Sequence, residues 1–269
     1  MTAGPGTAPD DATRSMIELD GVSRRFGPVE AVRDLSFVVP RGVVCGFLGP
    51  NGAGKSTTIR MIAGAIAPDS GAVRIEGIDL ALDRRRALAS LGWLPEHAPL
   101  PPDLRVEETI DLRARLHGMR RAERRSAVDS AIDACRLAQV RRRLCGQLSK
   151  GFRQRAGLAS AIVHGPSVLV LDEPTSGLDP GQIDEFRALV RELAGRTTIL
   201  LSTHVLAEVA AICGSVVVID RGSLLAQERI DGGATAARGA TATSGASAGA
   251  GAAASIEALY RGLLGGRLP

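Results

Sequence analysis

Apolar residues in this chain follow two rhythms. Short apolar runs rich in β-branched residues, bounded by turn residues, predict strands. They fall at Ile17–Val22, Phe37–Val39, Val43–Leu48, Val73–Ile75 and Leu91–Leu94, and again at 168–171, 197–201 and 215–219. The runs at 43–48 and 168–171 are apolar almost throughout and read as buried strands. Between them the spacing lengthens to that of helices with one buried face: Ser56–Ala63, Val106–His117, Arg120–Leu137, Lys150–Val163 and Gln182–Leu193. The expected fold class is α/β: a mixed sheet with flanking helices and an inserted all-helical subdomain at about 97–165. Residues 16–230 hold this domain. Residues 1–15 lack an apolar segment and read as a disordered tail. Residues 231–254 are almost purely Ala, Gly, Ser and Thr and read as a flexible linker, leaving 255–269 as a short C-terminal helix.

Glycine punctuation supplies the first chemistry. Arg41-Gly42 makes a tight turn into the strand Val43–Leu48. The sequence Gly49-Pro50-Asn51-Gly52-Ala53-Gly54-Lys55-Ser56 follows, and then the helix. Strand, glycine loop and helix is the order a phosphate-binding loop requires, so the core is of the P-loop NTPase kind. Glycines let backbone N–H groups turn onto phosphates, and the helix N-terminus adds partial positive charge. In such a loop Lys55 reaches the β- and γ-phosphates and Ser56 holds Mg²⁺, with Thr57 completing the nucleotide contacts. All but two of the basic residues are arginine, the exceptions being Lys55 and Lys150. At 55 a compact ammonium fits a phosphate pocket where a planar guanidinium does not. Downstream, the run Val168–Leu171 ends in Asp172-Glu173. A carboxylate at the C-terminal edge of a buried parallel strand lies where ligands of such sheets bind. Asp172 is expected to hold Mg²⁺, directly or through water, and Glu173 to polarise the water that attacks the γ-phosphate.

A second glycine-bearing helix start, Leu148-Ser149-Lys150-Gly151-Phe152-Arg153-Gln154-Arg155, precedes that acidic strand. One small domain has little use for two phosphate-binding devices on a single nucleotide, which implies a composite site between two copies. With these residues in order, the chain resembles the ATP-binding subunits of ABC transporters over nearly all of 16–230. It is similar in particular to the type-two exporter group, which includes gliding-motility, copper-maturation and drug-efflux subunits. The resemblance implies a Q-loop position at Glu96, where the wider family has glutamine, and a further Mg²⁺ contact there. It implies a signature motif at 148–155, a D-loop at 176–179 and a switch histidine, His204, sensing the γ-phosphate. Ser149, Gly151 and Asp179 would act across the dimer on the other copy's ATP, and Phe26 would stack on adenine. Each has a plain structural reading as well: Ser149 and Asp179 are natural helix caps, Pro180 suits a first helical turn, His204 ends a strand, and Phe26 suits a core. Lys150 and Phe152 depart from the family's usual glycine and glutamine. The implied activity is ATP hydrolysis by a head-to-tail homodimer driving a separately encoded membrane permease, at the cytoplasmic face of the membrane. Non-transport ABC ATPases of DNA repair or translation are the alternative; the long coiled coils or tandem ATPase domains that mark them are absent. A P-loop kinase leaves the 148–155 motif without a role.

Composition changes this picture little. A chain of 269 residues buries one sizeable core, filled by aliphatic side chains because aromatics are only 3%. Cysteines 45, 135, 145 and 213 show neither paired nor metal-ligand spacing and read as reduced core residues. No apolar run approaches the roughly 18–20 residues that cross a bilayer. The net charge is +4, with arginines clustered at 84–86, 120–125 and 141–143. These clusters carry interspersed acids and no aromatics, as on a solvated face, so no nucleic-acid partner is expected.

Overall fold

The computed structural model describes residues 15–230, so the expected linker at 231–254 and helix at 255–269 lie outside the described residues, as does the tail up to 14. Ser15, assigned to that tail from sequence, opens the first strand instead. Strands β1 (Ser15–Phe26) and β2 (Val29–Pro40) form an antiparallel hairpin. β4 (Ser70–Ile75) pairs on the other side of β1, and the two-residue β5 (Ile78–Asp79) completes a sheet of order β2-β1-β4-β5. In β2, Val32, Leu35, Phe37 and Val39 are buried while Arg33, Asp34, Ser36 and Val38 are exposed, so one face is dry and the other wet. The alternation slips by one at Asp34, whose φ of 43° lies in the left-handed region. These polar interruptions hid most of the hairpin's length from a reading based on apolar runs.

The other sheet follows different rules. β3 (Val44–Leu48), β6 (Leu91–Leu94), β7 (Val168–Asp172), β8 (Thr198–Thr203) and β9 (Ser215–Asp220) run parallel, and β10 (Ser223–Arg229) closes one edge antiparallel to β9. Their order is β10-β9-β3-β8-β7-β6. The Arg41-Gly42 turn therefore carries the chain from one sheet into the other and does not pair its flanking strands; Gly42 has a φ of 72°. Both faces of this sheet are covered along β3, β7, β8 and β9, which is why those strands are apolar through their centres. Cys45, Phe47, Val168, Val170, Leu200, Val217 and Ile219 face the antiparallel sheet and α1 (Lys55–Ile62). The intervening residues Val44, Leu48, Leu169, Leu171, Ile199, Leu201, Val216 and Val218 face the helical layer.

That layer holds α5 (Lys150–Ile162), α6 (Pro180–Ala194) and α7 (Leu206–Ile212), with α3 (Val106–Leu116) and α4 (Arg121–Ala134) packed outside α5. The expected insertion is thus helical, with α4 shorter at both ends than its apolar spacing indicated. A short α2 (Arg84–Ala89) lies beside β5 and was not legible, being nearly all arginine and alanine. All four cysteines are free and buried, and burial pushes the Cys45 thiol up to about 11 and the Cys135 thiol to about 12.

The contact between α5 and β6 depends on glycine at both sides. A Cβ on Gly157 would come within 2.7 Å of Ala98 Cβ and Leu94 Cδ1, and one on Gly92 would run into the Ala161 carbonyl oxygen. Backbone oxygen cannot step aside as a side chain can. Gly92→Ala is expected to destabilise the fold by about 1–3 kcal/mol, read as a lower urea midpoint with an unchanged slope.

Candidate active site

Strand register assembles the site. Leu48 at the end of β3 lies opposite Thr203 of β8, and Ser202 of β8 lies opposite Asp172 of β7. The C-terminal ends of three neighbouring parallel strands thus deliver Gly49, Asp172-Glu173 and Thr203-His204 to one edge.

Within the glycine loop, Gly52 and Gly54 have φ of 79° and 101°. A side chain at Gly54 would strike the Ala31 carbonyl, so this turn accepts only glycine. Ala53 is 2% exposed. Its N–H donates to Pro50 O at 3.1 Å and its carbonyl accepts Gly222 N–H at 2.9 Å, so it shapes the loop through its backbone. Lys55 opens α1 with its ammonium buried, donating to Gly49 O at 2.7 Å and Pro50 O at 3.2 Å, and standing 3.3 Å from Glu173 Oε1.

The acidic pair is held by one hydroxyl. Ser202 Oγ donates to Asp172 Oδ1 at 2.7 Å and accepts the Glu173 N–H at 2.9 Å. Ser56 Oγ also donates to Asp172 Oδ1, at 3.4 Å. Burial pushes the Asp172 carboxyl above the usual range; the Ser202 and Ser56 bonds pull it back, and the negative charges of Glu173 and Glu96 raise it further. Glu173 has a φ of 45°, unfavourable for a residue with a Cβ. Its free carboxylate oxygen, Oε2, lies 2.9 Å from His204 Nδ1. A carboxylate only accepts, so Nδ1 carries the hydrogen and Nε2 is left facing away from Glu173.

These residues border an open cleft of about 540 Å³ lined by Asn51, Gly52, Gly54, Lys55, Ser56, Thr57, Glu96, Glu173 and His204. Glu96 therefore reaches the site from the extended segment after β6. Gly49 and Pro50 sit behind the lysine as carbonyl acceptors. Phe26 ends β1, opposite Val29 of the cleft wall, half-exposed, with the Arg24 guanidinium 5.0 Å from its ring centre. Ser149, Gly151 and Asp179 are not among the cleft's lining residues. Ser149 Oγ caps α5 by accepting Phe152 N–H at 3.4 Å, and Asp179 caps α6 by accepting Gln182 N–H at 2.9 Å. Their structural readings are thus met within the chain.

Several supporting residues escaped the sequence reading. Ser202 was visible only as a hydroxyl inside an apolar strand. Gln154 is 3% exposed. Its amide donates to Glu96 O at 3.2 Å and Pro174 O at 3.0 Å, fastening α5 to the loops after β6 and β7. Glu208, 4% exposed in α7, accepts hydroxyls from Thr175 and Thr203. Arg33 and Arg221 add cationic groups to the cleft wall. Among the described residues no three His, Cys, Asp or Glu side chains group as a metal cage.

A lysine-bearing phosphate loop facing a buried aspartate, with an adjacent glutamate and histidine, defines a P-loop nucleoside triphosphatase. Comparison with known proteins places it more narrowly. The ABC transporter family model matches residues 32–176, and an AAA-domain model described as a putative AbiEii toxin of a type IV toxin–antitoxin system matches 145–210. Nod factor export ATP-binding protein I of Paraburkholderia xenovorans is 39% identical over 212 residues, covering 78% of this chain and 70% of that protein. Daunorubicin resistance ATP-binding protein DrrA3 of Streptomyces coeruleorubidus is 36% identical over 216 residues, covering 80% and 68%. A solved ATP-binding subunit of an ABC transporter superposes with a TM-score of 0.73 at 32% identity, covering 81% of this chain and 91% of that one. The chain belongs to the ABC transporter family. It is an ATP-binding, ATP-hydrolysing subunit of the exporter type, the class in which subunits work as dimers with separate membrane components. No described helix is long and apolar enough to cross a membrane.

Asp172 carries a thermodynamic cost that can be measured. A carboxyl raised in the folded state binds its proton more tightly folded than unfolded, so stability falls as pH rises through the window from 3.8 to the raised value. Above that raised value the penalty is fully present. Asp172→Asn keeps an acceptor for Ser202 and removes the buried charge. It is expected to raise the melting temperature of the nucleotide-free protein at pH 7, by about 2–4 °C per kcal/mol recovered, with the gain shrinking as pH is lowered, while ATP hydrolysis is lost.

Proposed function

We propose that two copies of this chain close head to tail around two Mg·ATP molecules, and that this closure drives a separately encoded membrane permease from the cytoplasmic face. Each site takes Gly49–Thr57, Phe26, Glu96, Asp172, Glu173 and His204 from one copy. It takes Ser149, Gly151 and Asp179 from the other. The observation carrying this reading is the division of the site. Every residue expected to act within one chain, Phe26 apart, lines the cleft or lies directly behind it. The three expected to act across the dimer stand outside it, at the N-termini of α5 and α6. The insertion at 97–165 is the part that relays motion to the permease. Relatives whose names speak of export and drug resistance favour outward transport.

Ser56 Oγ, Asp172 and Glu96 are hard oxygen donors converging on one side of the cleft, a set that suits Mg²⁺ completed by phosphate oxygens and water. When bound, the ion neutralises charge on the β- and γ-phosphates. The chain's own groups do the rest. Lys55 supplies a buried cation for the terminal phosphates, the loop's backbone N–H groups hold them, and Glu173 accepts hydrogen from the attacking water while His204 holds the Glu173 carboxylate in place.

Glu173→Gln is expected to keep ATP affinity and lower kcat by about 10²–10⁴-fold, trapping a nucleotide-bound dimer. Sizing chromatography with ATP and Mg²⁺ reads it out. A variant that stays monomeric at high concentration, or hydrolyses at the normal rate, removes Glu173 from the role of base. A second variant addresses the acid where the family has glutamine. Glu96 raises the Asp172 carboxyl through its charge, so the two are electrostatically coupled. Glu96→Gln should remain an active ATPase, bind ATP more tightly in EDTA because one negative charge has left the cleft, and show a shifted Mg²⁺ requirement. Unchanged binding in EDTA and unchanged Mg²⁺ dependence would mean Glu96 is not a ligand.

A further inference from the structure

We propose that Glu208 is a positioning residue for hydrolysis, a buried brace that fixes the His204 loop to the loop carrying Glu173. The chemistry of its surroundings makes the case. Glu208 lies in the short α7, four residues beyond His204, and is 4% exposed. A carboxyl group so buried ordinarily needs a cation or several hydrogen-bond donors. Glu208 has no ion pair among the described residues and instead takes two hydroxyls, one from the end of β8 and one from the loop after β7. Thr203 Oγ1 donates to Oε2 at 2.6 Å, and Thr175 Oγ1 donates to Oε1.

The threonines lie one residue from His204 and two from Glu173. Thr203 immediately precedes His204, and its hydroxyl also accepts Val205 N–H at 3.0 Å, so it fixes the backbone on the other side of His204 too. Thr175 closes the tight turn after Glu173: Ser176 N–H donates to Glu173 O at 3.1 Å and Leu178 N–H to Thr175 O at 3.1 Å. One carboxyl therefore sets the separation of the two loops on which the 2.9 Å contact between His204 Nδ1 and Glu173 Oε2 depends. Strand pairing and the Ser202 bond to the Glu173 N–H align the two strand ends, and the Glu208 tie extends that alignment beyond them, to the turn after Glu173, whose φ is strained, and to His204, which is exposed on the cleft side. The role is structural in means and catalytic in effect, since Glu208 touches neither nucleotide nor the reacting water. It concerns the intramolecular half of the site and does not require the dimer to be head to tail.

The experiment is a double-mutant cycle in the full chain, with kcat and KM for ATP measured for each member. Glu208→Ala should lower kcat about 10–100-fold with KM for ATP changed less than twofold, while Glu208→Gln, which keeps volume and one acceptor, recovers most of the rate. His204→Ala should lower kcat on its own, and adding Glu208→Ala to it should cost less than threefold more, because the contact that Glu208 positions is already gone. A merely structural carboxyl gives the other result: the two losses multiply, or KM rises along with the fall in kcat, and the proposal is overturned. Should Glu208→Ala fail to fold, Thr175→Val in the same cycle removes one of the two donors with little change of shape and answers the same question. If the cycle is non-additive while the Glu173→Gln variant fails to dimerise, the brace stands and the head-to-tail reading falls.

Discussion

The alignment of three parallel strands is the constraint on which the rest depends. β3, β8 and β7 hydrogen-bond in a register that sets Leu48 beside Thr203 and Ser202 beside Asp172. A slip of one residue in β8 would turn Ser202 to the opposite face of the sheet and put Thr203 in its place. Asp172 would lose its 2.7 Å donor and the Glu173 N–H its acceptor in the same event. Register is secured by apolar packing on both faces, since β7 and β8 commit alternate residues to two different cores. The hydrophobic effect thereby fixes the position of a polar cluster to within hydrogen-bonding tolerance, although none of the cluster's members contributes to that packing.

The cluster itself opposes folding. Lys55 and Asp172 are both nearly excluded from water, and burial holds the Asp172 carboxyl above its usual range. Glu173 adds a strained backbone. Compensation comes from short-range partners: two carbonyls and a carboxylate around the Lys55 ammonium, two hydroxyls on Asp172, and a hydroxyl and an imidazole on Glu173. Such a site is stable only while its supports hold, and those supports extend to Ser202, Gln154 and Glu208, which bond to Asp172 and to the segments bearing Glu96, Glu173 and His204.

How much of this was legible in the sequence follows from what each residue does. The fully covered strands β3, β7, β8 and β9 were found because burial on two faces leaves no polar position to interrupt the run. The antiparallel sheet was seen only at its apolar centres. One face of β2 is wet, and the bulge at Asp34 breaks its alternation, so neither the length of the hairpin nor the existence of a separate sheet could be read. The glycine loop and Asp172-Glu173 were evident because phosphate and metal chemistry demands particular residue types at fixed spacing. Ser202 and Glu208 were not, because a hydrogen bond between residues 30 or more apart leaves no local pattern. Glu96 stood out only as a departure from a resemblance, and its place on the cleft came from the fold.

The first turn of α5 gives the two-copy arrangement an electrostatic rationale. A helix N-terminus carries partial positive charge and is ordinarily relieved by an acidic residue in its first turn. Here that turn holds no acid, and instead carries Lys150 and Arg153, both exposed. Neither forms an ion pair among the described residues, and the Lys150 ammonium lies against Gly177 of the chain's own loop. Within a single chain this is a small but unrelieved repulsion. In the proposed dimer the same turn faces the γ-phosphate held by the other copy, and an anion at that position reverses the sign of every term: dipole, ammonium and guanidinium all become attractive. Glycine in place of Lys150 would leave the helix dipole and the backbone donors to do this alone. In the proposed dimer a lysine there would add its charge to those donors, so that nucleotide in the opposite site would favour closure.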